Sequence, residues 1–252
     1  MRSPSKILAI AALTVGALTS TLIGACGGAS DSPPAPLGRH FDDMYIAAIP
    51  LDQKQSVVQT QNDWSIAKME HAKAEADYNE STTQLSIVRN DQKASRLNVD
   101  SALSNKKSAD ASADTNRMNQ AAKDLHTAEG LARAADARIK YIEAYREYLR
   151  IALRHAQENM YWREAQYELA KAQLGQKSGI SPKGISYDAF PKQESERNKR
   201  ASSAKDRVDS GKQRAMSARE NWRKAQDSAD RESGRPSNLP DPMASRSSAA
   251  SQ

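Results

Sequence analysis

The sequence predicts an all-α protein: an elongated antiparallel coiled-coil hairpin with a third helix packed back on it, flanked by a disordered N-terminal tether and a disordered C-terminal tail. Three observations carry this prediction. The ten prolines stand at positions 4, 33, 34, 36, 50, 182, 191, 236, 240 and 242, so residues 51–174 hold no proline and one glycine, Gly130, and residues 192–233 hold no proline and one glycine, Gly211. Helix breakers are thus nearly absent from two long windows. Alanine makes up about one residue in six and aromatics only 5%, which favours helix over sheet. Apolar or small residues also recur at alternating steps of three and four, the spacing that keeps one stripe of a helix against a partner.

At the N-terminus, Arg2 and Lys6 precede an uncharged apolar stretch, residues 7–25, which has the layout of an export signal. It ends Leu22-Ile23-Gly24-Ala25-Cys26: an aliphatic residue, two small residues and the only cysteine of the chain. Here the chain resembles the lipobox of bacterial lipoproteins, although that pattern prefers Leu where this chain has Ile23. The resemblance implies a lipoprotein signal peptide over residues 1–25 and lipidation of Cys26. Gly27, in place of Asp, is similar to the outer-membrane sorting type, which implies a lipid-anchored protein of the bacterial outer membrane on its periplasmic face. An uncleaved transmembrane anchor is the competing reading, since 19 apolar residues can just span a bilayer. Loss of residues 1–25 removes two cations and no anion and lowers the net charge from +6 to +4.

Residues 26–50 hold Pro33, Pro34, Pro36 and Pro50 around the segment Phe41-Asp42-Asp43-Met44-Tyr45-Ile46-Ala47-Ala48-Ile49, which reads as a lipidated flexible tether with one short helical docking segment. The long hairpin then occupies residues 51–174. In the first arm the seam is Val57, Trp64, His71, Tyr78, Leu85, Gln92, Val99, Lys106 and Ala113 at a, with Thr60, Ala67, Ala74, Ser81, Val88, Ser95, Ala102 and Ala109 at d. In the second arm a is Met118, Leu125, Ala132, Ile139, Arg146, Leu153, Met160, Tyr167 and Leu174, and d is Ala121, Ala128, Ala135, Ile142, Leu149, Ala156, Arg163 and Ala170. The arms, 57–113 and 118–174, are equal in length, about 85 Å each at 1.5 Å per residue. Between them the heptad phase jumps by five residues, neither a three- nor a four-residue insertion, so one continuous coiled coil would lose its stripe there. Asp110, Ser112, Asp114, Thr115 and Asn116 supply capping groups for a turn near 108–117. No Gly or Pro marks that turn, and a continuous helix that dimerises is the alternative topology.

Gly175, Gly179, Pro182, Gly184 and Pro191 make residues 175–191 a loop, and a third helix follows over residues 192–233. Its seam, Ala201, Val208, Ala215, Trp222 and Ala229 with Ala204, Gly211, Ala218 and Ala225, is nearly all small, so it can approach a partner closely but buries little area. The second arm carries an aromatic flank outside its seam, Tyr141, Tyr145, Tyr148, His155 and Trp162, which needs a cover. The third helix is expected to lie there, in the groove on the g side of the hairpin, with Trp222 level with Tyr141 and Tyr145, Lys205 near Glu70 and Lys212 near Asp77. Residues 234–252, rich in Pro, Ser and Ala, read as a disordered tail.

With one cysteine there is no internal disulfide and no cysteine cage for zinc or iron–sulfur. His40, His71, His126 and His155 are never four residues apart, and G-x-S-x-G, Walker and dinucleotide patterns are missing. The sequence therefore points to no enzyme, no cofactor, no metal and no small-molecule substrate, and an exported chain is a poor nucleic-acid binder. What remains is reach: a membrane-anchored, non-enzymatic structural or adaptor lipoprotein whose rod docks an envelope protein partner. The candidate partner contacts are Asp110, Ala111, Asp114 and Asn116 at the hairpin end. In architecture alone the mature region resembles the coiled-coil hairpins of periplasmic adaptors of export and efflux systems, which also carry lipoyl-like and β-barrel domains that this chain lacks. The alternative is an envelope binding module that holds an anionic polymer or lipid on the basic third helix, which has 12 basic and 8 acidic residues, through Lys205, Lys212 and Arg219. A helical subunit that completes its bundle with another chain is a third reading.

Overall fold

A computed structural model describes residues 34–244, so the export segment, Cys26 and residues 245–252 lie outside the described part. The described chain is helical, in the order α1 (Asp43–Ile46), a 3₁₀ turn (Leu51–Lys54), α2 (Gln55–Ala111), α3 (Thr115–Lys177) and α4 (Ala189–Ser233). Helices α2 and α3 form an antiparallel hairpin and α4 returns along α3, the all-α architecture expected from the sequence.

Helix α2 follows the heptad stripe closely. Its buried residues, Val57, Ala67, Ser81, Leu85, Val88, Ala102 and Ala109, all fall at a or d. The two arginines in the α3 seam are answered from α2. Arg146 donates to the Tyr78 hydroxyl at 2.8 Å and to Thr82 at 3.1 Å, while Arg163 stands 3.8 Å from Asp63. Arg138–Asp91, Arg96–Asp136 and Arg89–Glu143 pairs at 3.0–3.2 Å flank the seam and select register more than they stabilise.

Helix α3 lies between α2 and α4 and is buried along two stripes. One is its a/d seam, with Ile139, Ile142, Leu149, Tyr167, Ala170 and Leu174; the other includes Gly130, Ala134, Tyr141, Ala165 and Ala172 and meets α4. Tyr141 stacks on Trp222 with centroids 5.3 Å apart, Trp162 donates to Glu194 at 2.6 Å, and Gly211 sits against Tyr148 and Ile151, where an added Cβ would fall 3.0 Å from the Ile151 methyl. The small seam of α4 thus serves close approach to the aromatic flank, as its residues predict. Its position differs from expectation in one respect: the extensive packing of α4 is with α3 alone, not with both arms.

Apolar packing is graded along the hairpin. At mid-height Leu85, Val88, Ile139, Ile142, Tyr145 and Trp222 form one cluster, and at the base Phe41, Ile46, Val57, Tyr167, Leu174 and Phe190 form a second. Towards the turn the buried seam is reduced to Ala102, Ala109 and Ala121.

Three boundaries depart from the sequence reading. The reversal needs only Ser112, Ala113 and Asp114, because Ala113 adopts a left-handed φ of 57° and Asp114 accepts from the backbone N–H groups of Asn116 and Arg117 as the N-cap of α3. At the base α3 runs on to Lys177 and ends when Gly179, at φ 73°, lets its own N–H and that of Ile180 cap the carbonyls of Gln176 and Gly175. Pro191 lies in the first turn of α4, where a missing N–H breaks no helical bond. The larger correction concerns the tail: residues 235–244 pack back onto α3 and α4 as a strap, because the chain turns at Gly234, φ 67°, and Asp241 and Met243 find buried partners.

The docking segment is fastened to the base. Phe41, 1% exposed, donates its N–H to Glu168 at 2.6 Å. Glu168 in turn pairs with Lys171 at 2.9 Å, and Lys171 with Asp43 at 2.8 Å. Burial alone would depress the Lys171 pKa, but the two carboxylates hold it above the usual lysine value. Arg197 donates to the carbonyls of Ala35 and Pro36 at 2.6 and 3.2 Å, so the tether is pinned from residue 35 onward.

Candidate functional site

The end of the hairpin carries the predicted contact residues together. Every residue from Asp110 to Gln120 is exposed. Asp110 pairs with Lys106 at 2.7 Å along α2, Ala111 closes α2, and Asn116 lies in the first turn of α3. Asp114 is different in kind: its carboxylate is the helix cap, so it shapes the turn before it can touch anything else. Helix α4 ends at Ser233, where Glu232 meets Thr127 and Gly130. The outer eleven residues of α3, 115–125, and the α2 residues opposite them therefore extend past the third helix, by about 16 Å at 1.5 Å per residue.

The predicted anion contacts are split. Lys205 and Lys212 are exposed and make no ion pair among the described residues, in company with exposed Lys199, Arg200, Arg207 and Arg214. Lys205 and Glu70 both act on His155, whose pKa is lowered, chiefly by burial and further by Lys205, with Glu70 opposing. Arg219 is committed elsewhere: its Nε donates to Asp241 Oδ2 at 2.7 Å.

That contact belongs to a second site, which the sequence reading missed. The strap carries Leu239-Pro240-Asp241-Pro242-Met243 between α3 and α4. Tyr141, 0% exposed, donates its hydroxyl to Asp241 Oδ1 at 2.7 Å, and Arg223 stands 3.8 Å from Oδ2. Burial and the adjacent carboxylate push the Tyr141 pKa far up, so it stays a donor. For Asp241 burial acts upward, but the bonds from Tyr141 and Arg219 prevail and hold the carboxyl below its usual range. Asp241 also caps a turn that starts at Pro242, accepting from the Met243 N–H at 3.2 Å. The signal available in the sequence was a carboxylate fixed between two prolines.

Two clefts flank the strap. One, about 790 Å³, is lined by Glu80, Gln84, Val88, Arg138, Tyr145 and Pro240 among others; the second, about 870 Å³, lies beside residues 235–239. Arg138 is 6% exposed and donates from Nη1 to Asp91, yet its Nε and the Gln84 Oε1 are buried with no hydrogen-bond partner.

Among the described residues no cluster of His, Cys, Asp or Glu could hold a metal ion, and no helix is long and apolar enough to cross a membrane. Comparison with known protein families, with curated proteins and with solved structures finds no match for the chain.

Proposed function

We propose that this chain is a non-enzymatic structural or adaptor lipoprotein of the bacterial cell envelope, anchored through a lipid on Cys26 at the periplasmic face of the outer membrane, which projects a helical rod to dock a protein partner. The observation that carries the reading is the bare hairpin end: residues 110–120 are all exposed and extend past α4. A helix pair that needed only to be stable would gain from cover along its whole length, whereas one that presents a contact leaves its end free. The pinned docking segment supports the same reading, because it ties the tether to the base rather than to the hairpin end.

Two measurements test it. Labelled palmitate should enter the intact chain in cells and be lost in Cys26→Ala. A photo-crosslinker at Ala111 should give a discrete protein adduct in intact cells; no adduct at Ala111, with one at Lys212 instead, would sink the docking role.

A second reading is favoured by the unpaired cations of α4. Lys205 and Lys212, with their exposed basic neighbours, form a surface for an anionic envelope polymer or lipid. Lys205→Gln with Lys212→Gln should abolish salt-sensitive binding to anionic vesicles if this face is used; binding unchanged by salt or by the substitutions would dismiss it. Arg219 is left intact in this test because it holds the strap.

A further inference from the structure

The seat of Asp241 is built to receive a carboxylate, and the strap is one occupant of it. Each carboxylate oxygen has its own donor from a different helix, Tyr141 of α3 on Oδ1 and Arg219 of α4 on Oδ2, both at 2.7 Å. Trp222 backs the phenol by stacking, and Met243 inserts into the apolar cluster beyond it. Without a carboxylate, the buried hydroxyl and the guanidinium would lose the charged acceptor that they share, which is unfavourable. The seat therefore demands an acidic group followed by an apolar one, and the flanking prolines hold those two groups at a fixed spacing.

The strap does not fill the space around this seat. The clefts at its two ends measure about 790 and 870 Å³, and the first holds one buried donor, Arg138 Nε, and one buried acceptor, Gln84 Oε1, each without a partner. Both atoms are closed to solvent, so a segment in the cleft meets them only if the Arg138 and Gln84 side chains turn towards it, where a peptide backbone, with an N–H and a C=O on each residue, can answer both. A segment longer than the strap would occupy cleft space that the strap leaves open.

We propose that the Tyr141–Arg219 seat and the adjoining clefts form a receptor site for a partner's acidic, proline-flanked peptide segment, with the chain's own residues 239–243 as its resident, exchangeable occupant. Release needs no unfolding of α3 or α4, since the strap leaves α4 at Gly234 and its first residues are held by Asp230, which accepts from the Ser237 N–H and hydroxyl. This site lies on the flank of the rod and does not depend on the hairpin end docking anything.

The test uses a fluorescein-labelled peptide of residues 235–244 and the purified chain. A tethered strap competes at an effective concentration of about millimolar, so wild type should bind the peptide weakly and Asp241→Ala, which unseats the strap and leaves the seat intact, about tenfold tighter or more. A peptide carrying D241N should lose that gain, as should Asp241→Ala combined with Arg219→Gln. Equal binding to wild type and Asp241→Ala, or equal binding of the acidic and amide peptides, would overturn the proposal. Should Asp241→Ala lose helicity, hydrogen exchange on wild type decides: excess unlabelled peptide should raise exchange at the chain's own strap amides, and no change would overturn it. A wild-type dimer that Asp241→Ala converts to monomer would make a second copy the occupant and overturn the partner reading.

Discussion

Ala113 makes the hairpin turn at φ 57°, where a Cβ crowds the carbonyl that follows it and glycine is the usual solution. Its neighbours, the Ser112 and Asp114 caps, over-determine the conformation, so the strain persists. Ala113→Gly should therefore stabilise the protein by up to about 1 kcal/mol, the steric relief exceeding the added chain entropy of glycine; a lower melting temperature in thermal unfolding would show the turn to be unstrained. His155 supplies a pH-dependent prediction. Its folded pKa lies below the ordinary histidine value, first through burial and then through Lys205, so the folded state binds a proton less readily than the unfolded chain. The stability linked to His155 is present above pH about 6.5 and is lost as pH falls towards the depressed value. Melting temperature should drop between pH 7 and 5, and His155→Gln should flatten that part of the profile; an unchanged slope would place the proton uptake elsewhere.

At the scale of elements, two glycines on α3 separate clash from propensity. A Cβ at Gly130 would fall 2.2 Å from Glu232 Oε2, but that atom ends a flexible side chain whose pairings with His126 and Arg133, at 3.5 and 3.6 Å, are loose. Helix propensity should win, and Gly130→Ala should stabilise by up to about 1 kcal/mol. At Gly175 the Cβ would fall 2.6 Å from Phe41 Cζ, a buried ring whose backbone is tied to Glu168. There the clash should win, so that Gly175→Ala destabilises by roughly 1–3 kcal/mol and opens residues 38–50 to protease; resistance equal to wild type would contradict the pinned tether. The same elements show what the sequence could reveal. The α2 seam was legible because that helix has one partner, so its buried residues obey one stripe. Helix α3 has two partners, and only the aromatic run from Tyr141 to Trp162 betrayed its second face. The turn is narrower than the run of capping residues suggests because an alanine, Ala113, takes the glycine role. The strap was unreadable because Ser, Pro and Ala resemble a disordered tail in composition, and the contact that orders Asp241 comes from Tyr141, a hundred residues away.

At the scale of the whole molecule, length is the property that the helices determine. The 57 residues of α2 rise about 85 Å at 1.5 Å per residue. Between Cys26 and the first described residue, Pro34, the chain can span at most about 28 Å when fully extended. If Cys26 is the lipid anchor, the base stays close to the bilayer and the height of the hairpin end depends mainly on the coiled coil. The Gln92–Asp136 contact sets the register of the arms and, continued outward, places residues 99–105 opposite 123–129. Deleting both heptads keeps the seam in phase and lowers the hairpin end by about 10 Å. Helicity per residue should be unchanged, since the packed clusters at mid-height and at the base are untouched. Crosslinking from Ala111 should be lost, and an insertion of eight Gly/Ser residues between Gly28 and Ala29 should restore it by raising the base instead. If capture survives the deletion without the insertion, the partner follows the rod wherever it ends, and recognition at the hairpin end, rather than reach, is the property that function uses.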